Sequence, residues 1–311
     1  MPRPILIDTD AGVDDALALI LALRSPELDV KAITTVAGNA TVEQCTRNVL
    51  YLLRLLNEET LPVVQGARKP LARPLVTAPE VHGRDGLGNA RPAVARPRSV
   101  PRNAVETMLS LSKRYGKRLT IIALGPLTNL SRALENDPAT MKSIGRLITM
   151  GGAFRVPGNT GPVAEFNYYV DPDAAHRVLN SGLPIMVVPL DVTEQVVLMR
   201  REVEYRAQRR ASPVARAILR FTRLYMRYHR TTEGFYGGYL HDPIAVAAAI
   251  DKTIVQTRAA RVLVERKGEW TRGMTIADMR GGSARGTPMV EIAFKLDRER
   301  FMKLFHERIW K

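Results

Sequence analysis

The side chains able to do chemistry crowd the start of the chain. Directly after the apolar run Ile5-Leu6-Ile7, Asp8, Asp10, Asp14 and Asp15 put four carboxylates within eight residues. Carboxylates at that density repel one another unless a cation or a helix N-terminus offsets their charge. An oxygen-only donor set suits a hard divalent ion, Ca²⁺ or Mg²⁺, and the lack of a spaced His/Cys cluster argues against zinc. One Asp alone reads as a helix cap; four together read as a cation site. Farther along, Glu165 and Asn167 alternate about Phe166, so both face one side of the chain. His241 directly precedes Asp242, and an imidazole beside a carboxylate suits proton transfer near neutral pH.

The elements that must position these groups follow a repeating pattern of strand, turn and helix. Pro4–Ile7 reads as a strand, 8–12 as a turn and Asp14–Leu23 as a helix. Val30–Val36 is the next strand, and after Gly38-Asn39 a helix runs through Leu56. Further strands are expected at Leu61–Val64, Leu119–Leu124, Leu147–Met150, Ile185–Leu190, Ala260–Val264 and Met289–Phe294. Helices follow Thr128 and His241-Asp242-Pro243, and a last one starts at Arg298. Residues 66–101, rich in Pro, Arg and Gly, form a long connection of the kind that usually carries function. Such alternation predicts an α/β fold, a doubly wound and mostly parallel sheet flanked by helices, with ligands bound at the carboxyl ends of the strands. No repeat or linker divides residues 1–311, so a single domain is expected.

Composition bounds the function classes. At 45% hydrophobic and 25% charged, the 311 residues have the profile of an ordinary globular protein, with no apolar run long enough for a membrane helix. No signal-peptide pattern opens the chain, and Cys45 is alone, so a cytoplasmic location is expected. The formal net charge of +15 is unusual. Its basic residues are spread along the chain, densest from Arg200 to Arg230. There Val214, Ala217, Ile218, Phe221 and Leu224 mark an amphipathic helix whose arginines face solvent. Without a recognised motif, a nucleic-acid partner is not expected.

The segment Asp8-Thr9-Asp10-x-x-x-Asp14-Asp15 after a strand resembles the N-terminal signature of the inosine-uridine preferring nucleoside hydrolases. So do Thr35-Val36-Ala37-Gly38-Asn39, Val81-His82-Gly83, Leu124-Gly125-Pro126-Leu127-Thr128-Asn129, Met150-Gly151-Gly152, Ala164-Glu165-Phe166-Asn167 and His241-Asp242-Pro243, in that order. The resemblance implies the nucleoside hydrolase fold and hydrolysis of the N-glycosidic bond of ribonucleosides to free base and ribose, with a Ca²⁺-bound water as nucleophile. It implies that Asp10, Asp15, Asp242 and the Leu124 carbonyl hold Ca²⁺, with Asp10 also the general base. Asp14, Asn39, Asn167 and Asp242 would hold the ribose 2′- and 3′-hydroxyls. Glu165 and Asn159 would hold the 5′-hydroxyl, and Met150 would pack on the sugar. His82 and His241 would lie near the base, His241 as the leaving-group acid. A homodimer or homotetramer is implied as well. Residues 83–89 resemble the family's mobile flap. The aromatics between Tyr225 and Tyr239 would stack on a base that the sequence does not name.

Two rivals share part of this pattern. A haloacid-dehalogenase-type phosphatase also places Asp-x-Asp after its first strand, but it leaves Asp15, Asn167 and His241-Asp242 unexplained. A non-catalytic nucleoside-binding protein would keep the ribose contacts and lose the base or the acid, yet Asp10 and His241 are both present.

Overall fold

The buried strand residues sort onto two faces. Ile5, Ile7, Ile122, Ile148, Met186 and Val188 pack into one apolar cluster, whereas Leu6, Ile121, Ala123, Leu147, Ile185 and Val187 pack into another. Side chains alternate across a strand, so a sheet with apolar residues at every position must be covered on both sides, as parallel sheets are. The computed structural model, which describes residues 1–91, 100–278 and 288–311, shows that sheet. Its strands are β1 (Arg3–Thr9), β2 (Leu28–Thr35), β3 (Val63–Gln65), β4 (Thr120–Ala123), β5 (Arg146–Met150) and β6 (Ile185–Val188). After β7 (Val197–Met199) and β8 (Gly237–Tyr239), which pair as a separate ribbon, come β9 (Val255–Val264), β10 (Thr275–Asp278) and β11 (Val290–Leu296).

The main sheet runs β10-β9-β11-β6-β5-β4-β1-β2-β3. From β3 through to β11 every pairing is parallel, and β9 and β10 add an antiparallel edge. The chain winds outward from β1 to β3, then returns to the other side of β1 as β4. Strand order therefore reverses between β1 and β4, where open α/β sheets form their ligand crevice.

Helices Val13–Leu23, Pro213–Thr232, His241–Ile250 and Arg298–Ile309 fill one face, while Ala104–Tyr115, Thr128–Asn136 and Pro172–Leu179 cover the other. The first of these helices is buried along its whole length from Val13 to Ala22, Asp14 and Asp15 included. Burying two carboxylates in the first turn of a core helix is costly unless their environment supplies compensation. That compensation is the subject of the site.

The expected parallel sheet is borne out, with boundaries shifted by a few residues at most strands. The sequence pattern does not mark β7, β8 and β10; each has three or four residues, too few for a periodic pattern to register. Within the long connection the short helix Pro79–His82 carries His82, and the loop after it is tied down by Asp85. Its carboxylate accepts hydrogen bonds from the backbone of Leu87 (2.7 Å), Asn89 (2.9 Å) and Arg91 (3.0 Å). The 92–99 part of the expected connection lies outside the described residues.

Candidate active site

At the carboxyl end of β1 the backbone turns, with Ala11 at φ 30°, and enters helix Val13–Leu23 through Gly12. The Asp15 carboxylate accepts from the Gly12 N–H (2.8 Å), from the Thr9 hydroxyl and from Asn39 Nδ2 (3.1 Å). Asp10 Oδ2 accepts from the Asn39 N–H at 2.7 Å. Asp10 Oδ1 and Asp14 Oδ1 are fully buried and accept no hydrogen bond. Gly38 and Gly125 lie flat against the Asp10 carboxylate, and a Cβ at either position would collide with it. These two glycines of the β2 and β4 turns thus make the space for the acid that β1 delivers.

From the far end of the chain, Asp242 enters on the first turn of helix His241–Ile250. Asp14, Asp15 and Asp242 bring carboxylate oxygens within 4.8 Å of one another. Burial, then mutual repulsion, drives the acids toward protonation. Burial and the Asp15 charge push Asp14 up to about 8, and Asp10 and Asp242 rise well above the carboxylate range. Burial also raises Asp15, against the hydrogen bonds it accepts. Unpartnered buried oxygens with such proton affinity are what a divalent cation would satisfy, so the donor set fits one. Asp8 stands apart. Its Oδ1 accepts from Thr34 (2.6 Å) and from Asn129 Nδ2 (2.8 Å), and burial lifts its pKa to about 7. β1 ends at Thr9, so Asp10 leaves on the turn while Asp8 stays among its Thr34 and Asn129 partners in the sheet; the four-acid cluster expected from sequence is three of those acids joined by Asp242.

Above the acids opens a cavity of about 460 Å³. Asp14, Asn39, His82, Leu124, Met150, Asn159, Glu165, Asn167, His241 and Asp242 all line it, while Asp10 and Asp15 lie behind its wall. Asn167 Nδ2 donates to the carbonyls of Leu124 (2.8 Å) and Met150 (3.3 Å), which leaves its Oδ1 for a ligand. The Leu124 carbonyl has a second lone pair, so this bond does not exclude a cation there. Glu165 caps helix Phe166–Val170, accepting from the N–H groups of Asn167 (2.7 Å), Gly152 (3.0 Å) and Tyr168 (3.2 Å). Burial outweighs those bonds and brings its pKa to about 7. Asn159, exposed at the rim, accepts from the Phe166 N–H at 2.9 Å.

The other end of the cavity is aromatic. Tyr225, Tyr228, His229 and Tyr239 line it, whereas Phe235 packs behind against His229 and Tyr239, and Tyr236 joins the core. His82 stacks on Tyr225 with ring centroids 5.6 Å apart. Its Nδ1 accepts from the Val13 N–H at 3.1 Å, so the neutral ring carries its proton on Nε2. His241 Nδ1 bonds the buried Thr193 hydroxyl at 2.7 Å. Burial, then neighbouring histidines, lowers both imidazoles to about 3, so both are neutral at pH 7. Sequence reasoning missed Thr9, Thr193, Glu194 and Glu233. Thr9 sat inside the signature unremarked, and the other three belong to no motif, so only their placement reveals them.

Residues 5–303 match the family model described as inosine-uridine preferring nucleoside hydrolase. The chain belongs to that family. Among its relatives, the pyrimidine-specific ribonucleoside hydrolase RihA of Enterobacter sp. (strain 638) is 42% identical over 99% of this chain and 98% of its own. RihA of Klebsiella pneumoniae is 41% identical over 99% of both chains. A plant nucleoside hydrolase superposes with a TM-score of 0.93 at 36% identity, covering 100% of this chain and 99% of its own. The purine-preferring ribonucleoside hydrolase of Gardnerella vaginalis gives 0.92 at 33% identity, over 99% and 98%. This nucleoside hydrolase therefore cleaves ribonucleosides to base and ribose, and the phosphatase reading falls away. Among the described residues no helix is long and apolar enough to cross a membrane.

Proposed function

We propose that the enzyme is a Ca²⁺-dependent hydrolase acting by preference on pyrimidine ribonucleosides, with Asp10 as base and His241 as the group that meets the departing base. The observation that carries this reading is the pair of buried, unpartnered oxygens, Asp10 Oδ1 and Asp14 Oδ1, beneath a cavity that is acidic at one end and aromatic at the other. The base preference rests on likeness to the RihA enzymes.

Asp10, Asp15, Asp242 and the Leu124 carbonyl would hold the cation, with Asp14 close enough to share it. When bound, a hard divalent ion supplies charge that orients and acidifies a water. Asp10 takes the proton of the attacking water at Oδ1, since Oδ2 is committed to the Asn39 N–H. Asp14, with the free Oδ1 atoms of Asn39 and Asn167, accepts from the ribose 2′- and 3′-hydroxyls and fixes the ring. Glu165 and Asn159 serve the 5′-hydroxyl, and Met150 packs on the sugar. Cleavage puts positive charge on the sugar, and the ring of carboxylates stabilises it where it develops. With the Thr193 hydroxyl donating to Nδ1, His241 presents Nε2–H to the base as negative charge builds there. Tyr225 and Tyr228 give the base flat apolar surfaces.

Ribose release from uridine, cytidine, inosine and adenosine, measured before and after chelation and again with added Ca²⁺, tests the reading. Loss on chelation, recovery with Ca²⁺ and faster cleavage of the two pyrimidine substrates are expected. Full activity in protein shown by elemental analysis to be metal-free would overturn the cation; faster purine cleavage would overturn the preference.

A further inference from the structure

Folding gathers part of the excess positive charge onto one line. On helix Pro213–Thr232, the residues Arg216, Arg220, Arg223, Arg227 and Arg230 are all exposed. Their spacings of four, three, four and three keep all five within about 40° of one direction at 100° per residue, a straight ladder about 21 Å long. Among the described residues none of the five is in an ion pair. Arg216 donates to the Ala211 carbonyl at 2.8 Å, and Arg230 lies over the Tyr236 ring, 5.4 Å from its centroid. The preceding helix, Arg200–Arg209, differs: Arg200 pairs with Glu204 and Arg206 with Glu202. Glu80 and Glu233 lie close enough to Tyr228, near the C-terminal end of the same helix, to act on its hydroxyl.

We infer that this ladder is a docking surface for single-stranded nucleic acid. Each guanidinium offers a planar fork to a phosphate, and rungs about 5 Å apart suit a flexible strand that can lie along a straight line. A rigid duplex curves its phosphates away from such a line. On the preceding helix Tyr205, 57% exposed with the Arg209 guanidinium 5.5 Å from its ring centroid, offers an aromatic ring of the kind on which bases stack. A membrane is the poorer partner. The apolar face of the helix, with Val214, Ala217, Ile218 and Phe221, is already buried in the core and leaves nothing to insert. The expectation of no nucleic-acid partner rested on the lack of a recognised motif and on reading this helix's arginines as a solvated face. Their alignment in one row, without an ion pair among the described residues, is what the inference adds.

Fluorescence anisotropy of a labelled 20-nucleotide polyuridylate against the whole enzyme tests this. Five phosphate contacts predict a slope of log K on log salt near −3.5, or about a hundredfold weaker binding from 50 to 200 mM salt. Replacing Arg216, Arg220, Arg223 and Arg227 together by Gln should flatten the slope to about −0.7 while uridine hydrolysis stays unchanged. A charge-matched control, Arg54, Lys113, Lys142 and Lys252 all to Gln, should keep most of the binding. Absence of saturable binding would overturn the inference, as would equal loss in the control. So would capture by phosphatidylserine vesicles without capture of the RNA.

Discussion

Asp14 offers a direct measure of what the buried acids cost the fold. Burial and the Asp15 charge hold its proton up to about pH 8, whereas the unfolded chain releases it near 3.8. Between those values the folded state binds more protons than the unfolded one, so metal-free stability must fall as pH rises. Below pH 6.5 a slope of opposite sign enters from His82 and His241, whose folded pKa values lie far below 6.5. From pH 6.5 to 8 the histidines no longer contribute. Asp8, Glu165 and Glu194, raised by burial to about 7, add slope of the same sign as Asp14, and comparison with an Asp14 variant removes most of it. Over those 1.5 units, at about 1.4 kcal/mol per unit, the Asp14 contribution is about 2 kcal/mol. Asp14→Asn keeps the shape and removes the titration. Urea unfolding in chelator at half-unit steps, for both proteins, gives the difference profile. The unmodified protein should lose about 2 kcal/mol relative to the variant between pH 6.5 and 8. With Ca²⁺ the loss should reverse, because the cation binds the ionised form and not the protonated one. A difference profile flat across this window, or one indifferent to Ca²⁺, would refute the reasoning.

Two further outcomes bear on the chemistry. His241→Ala should slow uridine hydrolysis by about 10²–10⁴-fold yet leave a nitrophenyl riboside, whose leaving group needs no proton, nearly unaffected; equal slowing of both would move the donor role elsewhere. Asp10→Asn keeps an acceptor for the Asn39 N–H and loses the base, so kcat should drop at least about 10²-fold while chelator-phase stability holds or rises; a variant with normal kcat would remove Asp10 from the reaction.

Most of the architecture could be read from the sequence because its strands are apolar at consecutive positions and end in glycine or acid, a pattern only a doubly covered parallel sheet explains. The expected site residues also assemble: ten line one cavity, and Asp10 and Asp15 lie behind it. Two kinds of information were not legible. Asp8 looks identical to Asp10 in sequence, and only their partners, Thr34 and Asn129 for Asp8 against the Asn39 N–H for Asp10, separate their tasks. Thr193 lies on a four-residue helix after β6, and nothing local marks it as the partner of His241, 48 residues on. β7 and β8 are also too short for periodicity to detect, and they depend on each other for their hydrogen bonds.

The acids that face one another come from opposite ends of the chain, Asp14 and Asp15 after the first strand and Asp242 on a helix that follows β8. A ribosome must finish most of the polypeptide before they can meet. Until then the early carboxylates lie in open water, ionised and mutually repelling, with weak hold on any cation. Once the last ligand arrives, the cation proposed for this site would close a loop of roughly 230 residues and tie the start of the chain to its later part, a long-range link that only the near-complete fold can make. Removing the ion from a finished molecule should therefore loosen the first and the late helices as a pair, the two joining the exchange-competent parts of the protein together, while the β4–β6 half of the sheet stays protected.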